Sequence, residues 1–285
     1  MGRSEKNLTA VFTDTASAIR AKTGTTEQIC PLDFADKINA IETGGGTGGG
    51  MKAYFDAGGK CAYSNKLTTF DGLINYSDTE NVSDFSYFFE NCNNLVSSPN
   101  INTDNATGSM TEMFYSCTNI TSISSINTSN VTSMSDMFAY CSYLTTIPLF
   151  NTSKVSNMSR MFNYCTHLTS VPKLDTSSVT DMSYMFAYCR NLTVIPELDA
   201  SKCEDFNRIF YECTGITEIH MTGMRSAFDI SYSTKFTRDA LVEILNNLGT
   251  PRYSWSKTIT MGETNLAKLT DEDKAIATNK GWTLA

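Results

Sequence analysis

The sequence predicts an α/β fold: a solenoid of about six helix–strand coils of 24 residues with a parallel sheet, preceded by a small helical module and closed by an α+β cap. Two columns and a composition break carry that reading. Cys92, Cys117, Cys141, Cys165, Cys189 and Cys213 recur at intervals of 25, 24, 24, 24 and 24 residues. Three residues before each stands a phenylalanine, from Phe89 to Phe210, and three after each a leucine or isoleucine, from Leu95 to Ile216. A fixed period of this length marks a repeat in which stacked units bury a core that no single unit could. Upstream, TGGGTGGG interrupts the chain and separates an unrelated segment from the repeats.

Taken in order, residues 8–22 and 33–41 read as two short helices parted by Gly24 and Pro31, and residues 1–43 form an attachment module. Residues 44–50 form a flexible linker of about 15 Å reach. They are not a phosphate loop, because Met51 and Lys52 follow where Gly-Lys-Ser/Thr would be needed. Residues 51–76 then cap the repeats of residues 77–222. Within a coil Val131, Met134, Met137, Phe138 and Cys141 have the spacing of one helical face, so a short helix is expected, capped by Ser129 or Asn130. The following L-T-x-I-P segment is expected as a short strand ended by Pro148, Pro172 or Pro196, with its counterpart in the next coil about 4.8 Å away. In residues 223–285, TRDALVEILNNLG has Thr237 as N-cap and Gly249 as stop. LTDEDKAIATNKG is a second helix with Thr270 as cap and Gly281 at its end.

Thr, Ser and Asn number 38, 30 and 23 of the 285 residues, so the surface is neutral and hydroxyl-rich. The net charge of −8 argues against nucleic acid as a partner. No apolar run is long enough for a membrane span or a signal peptide, so neither membrane insertion nor ordinary secretion is expected. The nine cysteines lack any C-x-x-C pair, and the six in register read as buried, reduced core residues rather than disulfides or metal ligands. No cofactor or metal is implied. His167 and His220 have no evident nucleophile beside them, so catalysis is not expected.

The frame M-F-x-x-C-x-x-L-T-x-I-P resembles the leucine-rich-repeat-like units of BspA-type surface proteins, also found as mycoplasma lipoprotein repeats. That resemblance implies a surface-exposed solenoid used for adhesion and contact with protein or glycan. The ending TNLAKLTDEDKAIATNKGWTLA resembles the one that accompanies such repeats in gut Firmicutes and their prophages. Ala18, Ile19, Arg20, Lys22, Thr23, Gly24, Ile29, Pro31, Phe34 and Ile38 match a short module that resembles tail and baseplate-associated proteins of phages infecting Gram-positive bacteria. Together these resemblances imply a virion protein of tail-fibre type. Residues 1–43 would bind other virion proteins, and the solenoid a host-surface protein or glycan. Homo-oligomerisation, as a trimer, fits a fibre. The alternatives are a bacterial cell-surface adhesin and a head-fibre or decoration protein.

Candidate contact residues follow from the repeat phase. Tyr140, Tyr164 and Tyr188 each precede the cysteine in successive coils and should stand above one another, either covering the core's edge or binding a partner. A second column reads Tyr87, Glu112, Asp136, Arg160, Tyr184 and Arg208, from which Tyr184 and Arg160 join the candidate face. Asp136 and Arg160 are placed to form a surface pair worth at most about 1 kcal/mol.

Overall fold

The computed structural model describes residues 79, 82–253 and 257–285. The expected N-terminal module, linker and segment 51–76 lie outside them. The α/β reading holds: the described residues carry small parallel sheets and few helices. Strand β1 (Gly108–Ser109) pairs with β2 (Val131–Ser133), and β3 (Val194–Ile195) pairs with β4 (Glu218–Ile219), both in parallel. Single parallel bridges join Ser133 to Asn157, Asn157 to Asp181 and Asp181 to Asp205.

The expected helix in each coil is absent, which corrects the sequence reading. Residues 134–141 form consecutive tight turns whose amides alternate in direction. Met137, Ala139 and Cys141 donate to the carbonyls three residues back, at 3.3, 3.0 and 3.0 Å. Met134, Asp136, Phe138 and Tyr140 donate to Asn157, Ser159, Met161 and Asn163 of the next coil at 2.7–3.0 Å. An α-helix would direct every amide four residues back and leave none for the neighbouring coil. The parallel pairing of β1 with β2 and these bridges fall where the helix was expected. The L-T-x-I-P segment is a paired strand only at β3 and at β4, its counterpart in the next coil, with a single bridge from Ser97 to Ser122 at the equivalent place in the first two coils.

This alternation requires special backbone. Among the described residues, the non-glycine residues with positive φ are Tyr87, Glu112, Asp136, Arg160, Tyr184 and Arg208, and Asn91, Ser116, Tyr140, Tyr164, Tyr188 and Glu212, all between 54° and 64°. Left-handed φ is uncommon for residues other than glycine. Here it recurs four residues apart in each coil whatever the side chain, so the coil path imposes it and the inter-coil hydrogen bonds offset it.

The tripeptide N-T-S caps no helix. Asn127 Oδ1 accepts from the Ser129 amide at 3.1 Å and hydroxyl at 2.8 Å, an Asx turn repeated at Asn151 and Asp175. The buried threonine between them ties the coils together: Thr128, Thr152 and Thr176 donate to the carbonyls of Asn151, Asp175 and Asp199 at 2.8–2.9 Å. Inside, Phe89, Phe114, Phe138, Phe162, Phe186 and Phe210 stack with centroids 5.2–6.2 Å apart and planes within 18°. Cys117, Cys141, Cys165, Cys189 and Cys213 each donate the thiol to the phenylalanine carbonyl one coil back, as Cys141 does to Phe114 at 3.1 Å. The described cysteines are all free and buried.

Beyond the repeats, β5 (Phe228–Asp229), β6 (Thr258–Thr260) and β7 (Thr283–Leu284) form a parallel three-stranded sheet. Helix α1 (Arg238–Asn247) begins as expected, with Thr237 accepting from the Ala240 amide. Its end differs from the expectation: Gly249 has no left-handed φ, and the Lys280 ammonium donates to the carbonyls of Leu245, Asn246 and Leu248 at 2.6–3.1 Å. What constrains Gly249 is space, since a Cβ there would lie 2.8 Å from Arg225 Cγ. After the short α2 (Glu263–Leu266), helix α3 (Asp271–Asn279) opens with a capping box between Thr270 and Asp273 and is followed by Gly281 at φ 89°. Arg238 grips the Asp273 carboxylate with two hydrogen bonds of 2.8 and 2.7 Å, joining α1 to α3.

Candidate functional site

The two left-handed columns point side chains off the coil stack and build one aromatic face. Tyr140 and Tyr164 stack at 4.8 Å and 12°, and Tyr164 and Tyr188 at 4.0 Å and 20°, as the repeat phase predicts. The ladder is longer than the phase indicates. Tyr115 meets Tyr140 edge-on at 5.3 Å, Tyr211 meets Tyr188 at 5.3 Å, and Tyr232 meets Tyr211 at 4.8 Å. Tyr115 and Tyr211 stand two residues before the cysteine instead of one, so an in-phase reading passes over them.

Stacking has a chemical consequence. The flat faces of Tyr140, Tyr164 and Tyr188 are covered by one another, and what remains outward is a row of ring edges and hydroxyls. Those hydroxyls interact: the hydrogen bond with Tyr164 pushes the Tyr188 phenol well above its ordinary value, with burial adding to it. Tyr232 is raised in the same way by Tyr211. The Tyr188 and Tyr232 phenols are therefore neutral at physiological pH.

Tyr184 lies between two guanidinium groups, with Arg160 Cζ 5.1 Å and Arg208 Cζ 5.7 Å from its ring centroid. Arg208 also lies 5.0 Å from Tyr211, which joins this column to the ladder. Arg190 sits 5.5 Å from Tyr188 and pairs with Glu212 at 3.2 Å. All three arginines of residues 82–222 therefore contact this face, while the lysines of that span, Lys154, Lys173 and Lys202, do not. Such cation–π contacts contribute on the order of 0.5–1 kcal/mol each at exposed positions. The expected Asp136–Arg160 ion pair does not form, because the guanidinium lies over Tyr184 instead. Arg160 still pulls the Asp136 carboxyl down from a distance, as does its hydrogen bond from Ser135, but burial dominates and raises it.

The histidines take other roles. His167 stacks on the exposed Tyr143 at 4.8 Å and contacts the Ser142 carbonyl through Nδ1 at 2.7 Å. His220 lies between two carboxylates, with Nδ1 2.7 Å from Glu243 of α1 and Nε2 3.2 Å from Glu218 of β4. The hydrogen bond to Glu243 raises its pKa. A shallow groove of about 620 Å³ lies apart from the aromatic face, between Leu149, Pro172, Lys173, Leu174, Asp175 and Glu197. It gathers none of the sequence-predicted contact residues. Among the described residues no His, Cys, Asp and Glu side chains cluster to hold a metal ion, and no helix is long and apolar enough to cross a membrane.

Parallel pairings at a fixed period, with a side-chain face repeated on the outside, mark a repeat protein. The chain belongs to the family described as "Mycoplasma protein of unknown function, DUF285", whose profile matches residues 62–144 and 108–223, together more than half of the chain. Among solved structures it is similar to the leucine-rich repeat protein of T. pallidum, at 14% identity, covering 66% of this chain and 84% of that one with a TM-score of 0.41. No curated protein matches the chain.

Proposed function

We propose that the chain is a non-enzymatic binding protein displayed at a bacterial cell surface, a leucine-rich-repeat-like solenoid of the BspA type whose tyrosine–arginine face contacts a partner. The carrying observation is the gathering of Tyr140, Tyr164, Tyr188 and Tyr211 with Arg160, Arg190 and Arg208 on one outward face. Tyr and Arg dominate the energetics of protein interfaces, because they bury large areas while keeping a polar end. Covered ring faces disfavour a sugar stacked on an aromatic and favour a protein surface.

Replacing Tyr140, Tyr164 and Tyr188 together by Ser should weaken binding to its surface partner about tenfold or more while leaving the circular-dichroism spectrum in place. Unchanged binding would remove this face from the function. A second reading rests on residues 18–38, whose motif resembles phage tail proteins: the same solenoid carried on a virion through residues 1–43. Immunogold labelling of cell walls and of purified particles separates the two, since each places the protein where the other does not.

A further inference from the structure

The outward left-handed column has an uneven charge order. From Tyr87 through Glu112 to Asp136 it carries two carboxylates, and residues 82–153 contain Asp84, Glu90, Asp104, Glu112 and Asp136 but no lysine or arginine. From Arg160 through Tyr184 to Arg208 it carries two guanidiniums, neither of which has a carboxylate within ion-pairing distance among the described residues. Neighbouring positions lie one coil apart, so Glu112 and Asp136 stand next to each other in one half, while Arg160 and Arg208 flank Tyr184 in the other. The Tyr87 phenol registers this field, raised chiefly by Glu112.

Reversed end to end, this order is its own complement. A copy turned about a two-fold axis lying across the columns between Asp136 and Arg160 sets Asp136 against the other copy's Arg160, Glu112 against Tyr184, and Tyr87 against Arg208. Every pairing is an ion pair, a carboxylate with a phenol, or a cation with a ring. The same operation sets Tyr140 against Tyr164 and Ser116 against Tyr188 in the second column. Six positions spaced about 4.8 Å apart form a strip roughly 24 Å long. A parallel copy in register would set like charges together instead.

We infer that this face pairs with the same face of a second copy of the chain, antiparallel, in an isologous two-fold contact. This rests on reading the tyrosine–arginine face as a contact surface, and names its partner. The test is sedimentation of the full-length chain, wild type and charge variants, at low and high salt. The wild type should sediment as a dimer at low salt and dissociate as salt screens the exposed pairs. Asp136→Arg and Arg160→Asp should each weaken the dimer tenfold or more, because the two-fold axis counts every change twice. The double variant, with the charges exchanged, should restore it, and that recovery separates a lost contact from a lost fold.

A chain that remains monomeric at low salt overturns the inference, as does a dimer indifferent to both single reversals. Neither result touches the contact reading itself, which falls only if the triple serine variant binds its surface partner unchanged.

Discussion

At the residue scale the clearest lesson lies in the cysteines and phenylalanines. The thiols of Cys117, Cys141, Cys165, Cys189, Cys203 and Cys213 are buried and donate to backbone carbonyls, and burial raises their pKa, to about 12 at Cys203 and Cys213. A thiol so held is neutral and inaccessible, which is why the column functions as packing and not as chemistry. The phenylalanine column is fully buried in a continuous stack, and shortening one member leaves a void that its neighbours in adjacent coils cannot close. Phe162→Ala should therefore cost about 3–5 kcal/mol, measured by denaturant unfolding. A loss below about 1 kcal/mol would show that the coils collapse around the gap.

At the element scale the expected helix of each coil misled for an identifiable reason. Val131, Met134, Met137, Phe138 and Cys141 have helical spacing, yet successive tight turns bury the same positions. The period cannot distinguish a helix that closes its own hydrogen bonds from turns that share them with the next coil. The closing helices were legible because Thr237 and Thr270 supply local capping chemistry that needs no neighbour. The end of α1 was not, because its carbonyls are satisfied by Lys280 from beyond α3. Glu243 of α1 also holds His220, and this contact is pH-dependent. The raised histidine pKa means that its stabilisation is complete below about pH 6.5. It is lost as pH climbs through the higher folded-state value. The thermal midpoint should thus fall between about pH 6 and pH 8, and His220→Gln should flatten that dependence. An equal fall in the variant would assign the effect elsewhere.

At the scale of the whole molecule, stability accumulates coil by coil, since each contacts chiefly its neighbours. The central coils are sandwiched on both sides. The cross-coil amides of Phe138 and Phe162, at 3.0 and 2.9 Å, should exchange with deuterium more slowly than that of Phe85, whose bond to Ser109 is longer at 3.3 Å, in a gradient readable by native-state hydrogen exchange. Uniform protection would mean that the stack opens as one unit.

The sequence by itself determined the 24-residue period, the buried columns, the Tyr140–Tyr164–Tyr188 alignment and the N-caps of α1 and α3. Each of these is written either in periodicity or in chemistry between residues close in the chain. Only the tertiary structure decided that the coils are built from left-handed turns, that the ladder extends to Tyr115, Tyr211 and Tyr232, and that Arg160 leaves Asp136 for Tyr184. Those outcomes depend on which groups adjacent coils bring together. A hydrogen bond or a ring contact across 24 residues is a property of the stack, and no single coil specifies it.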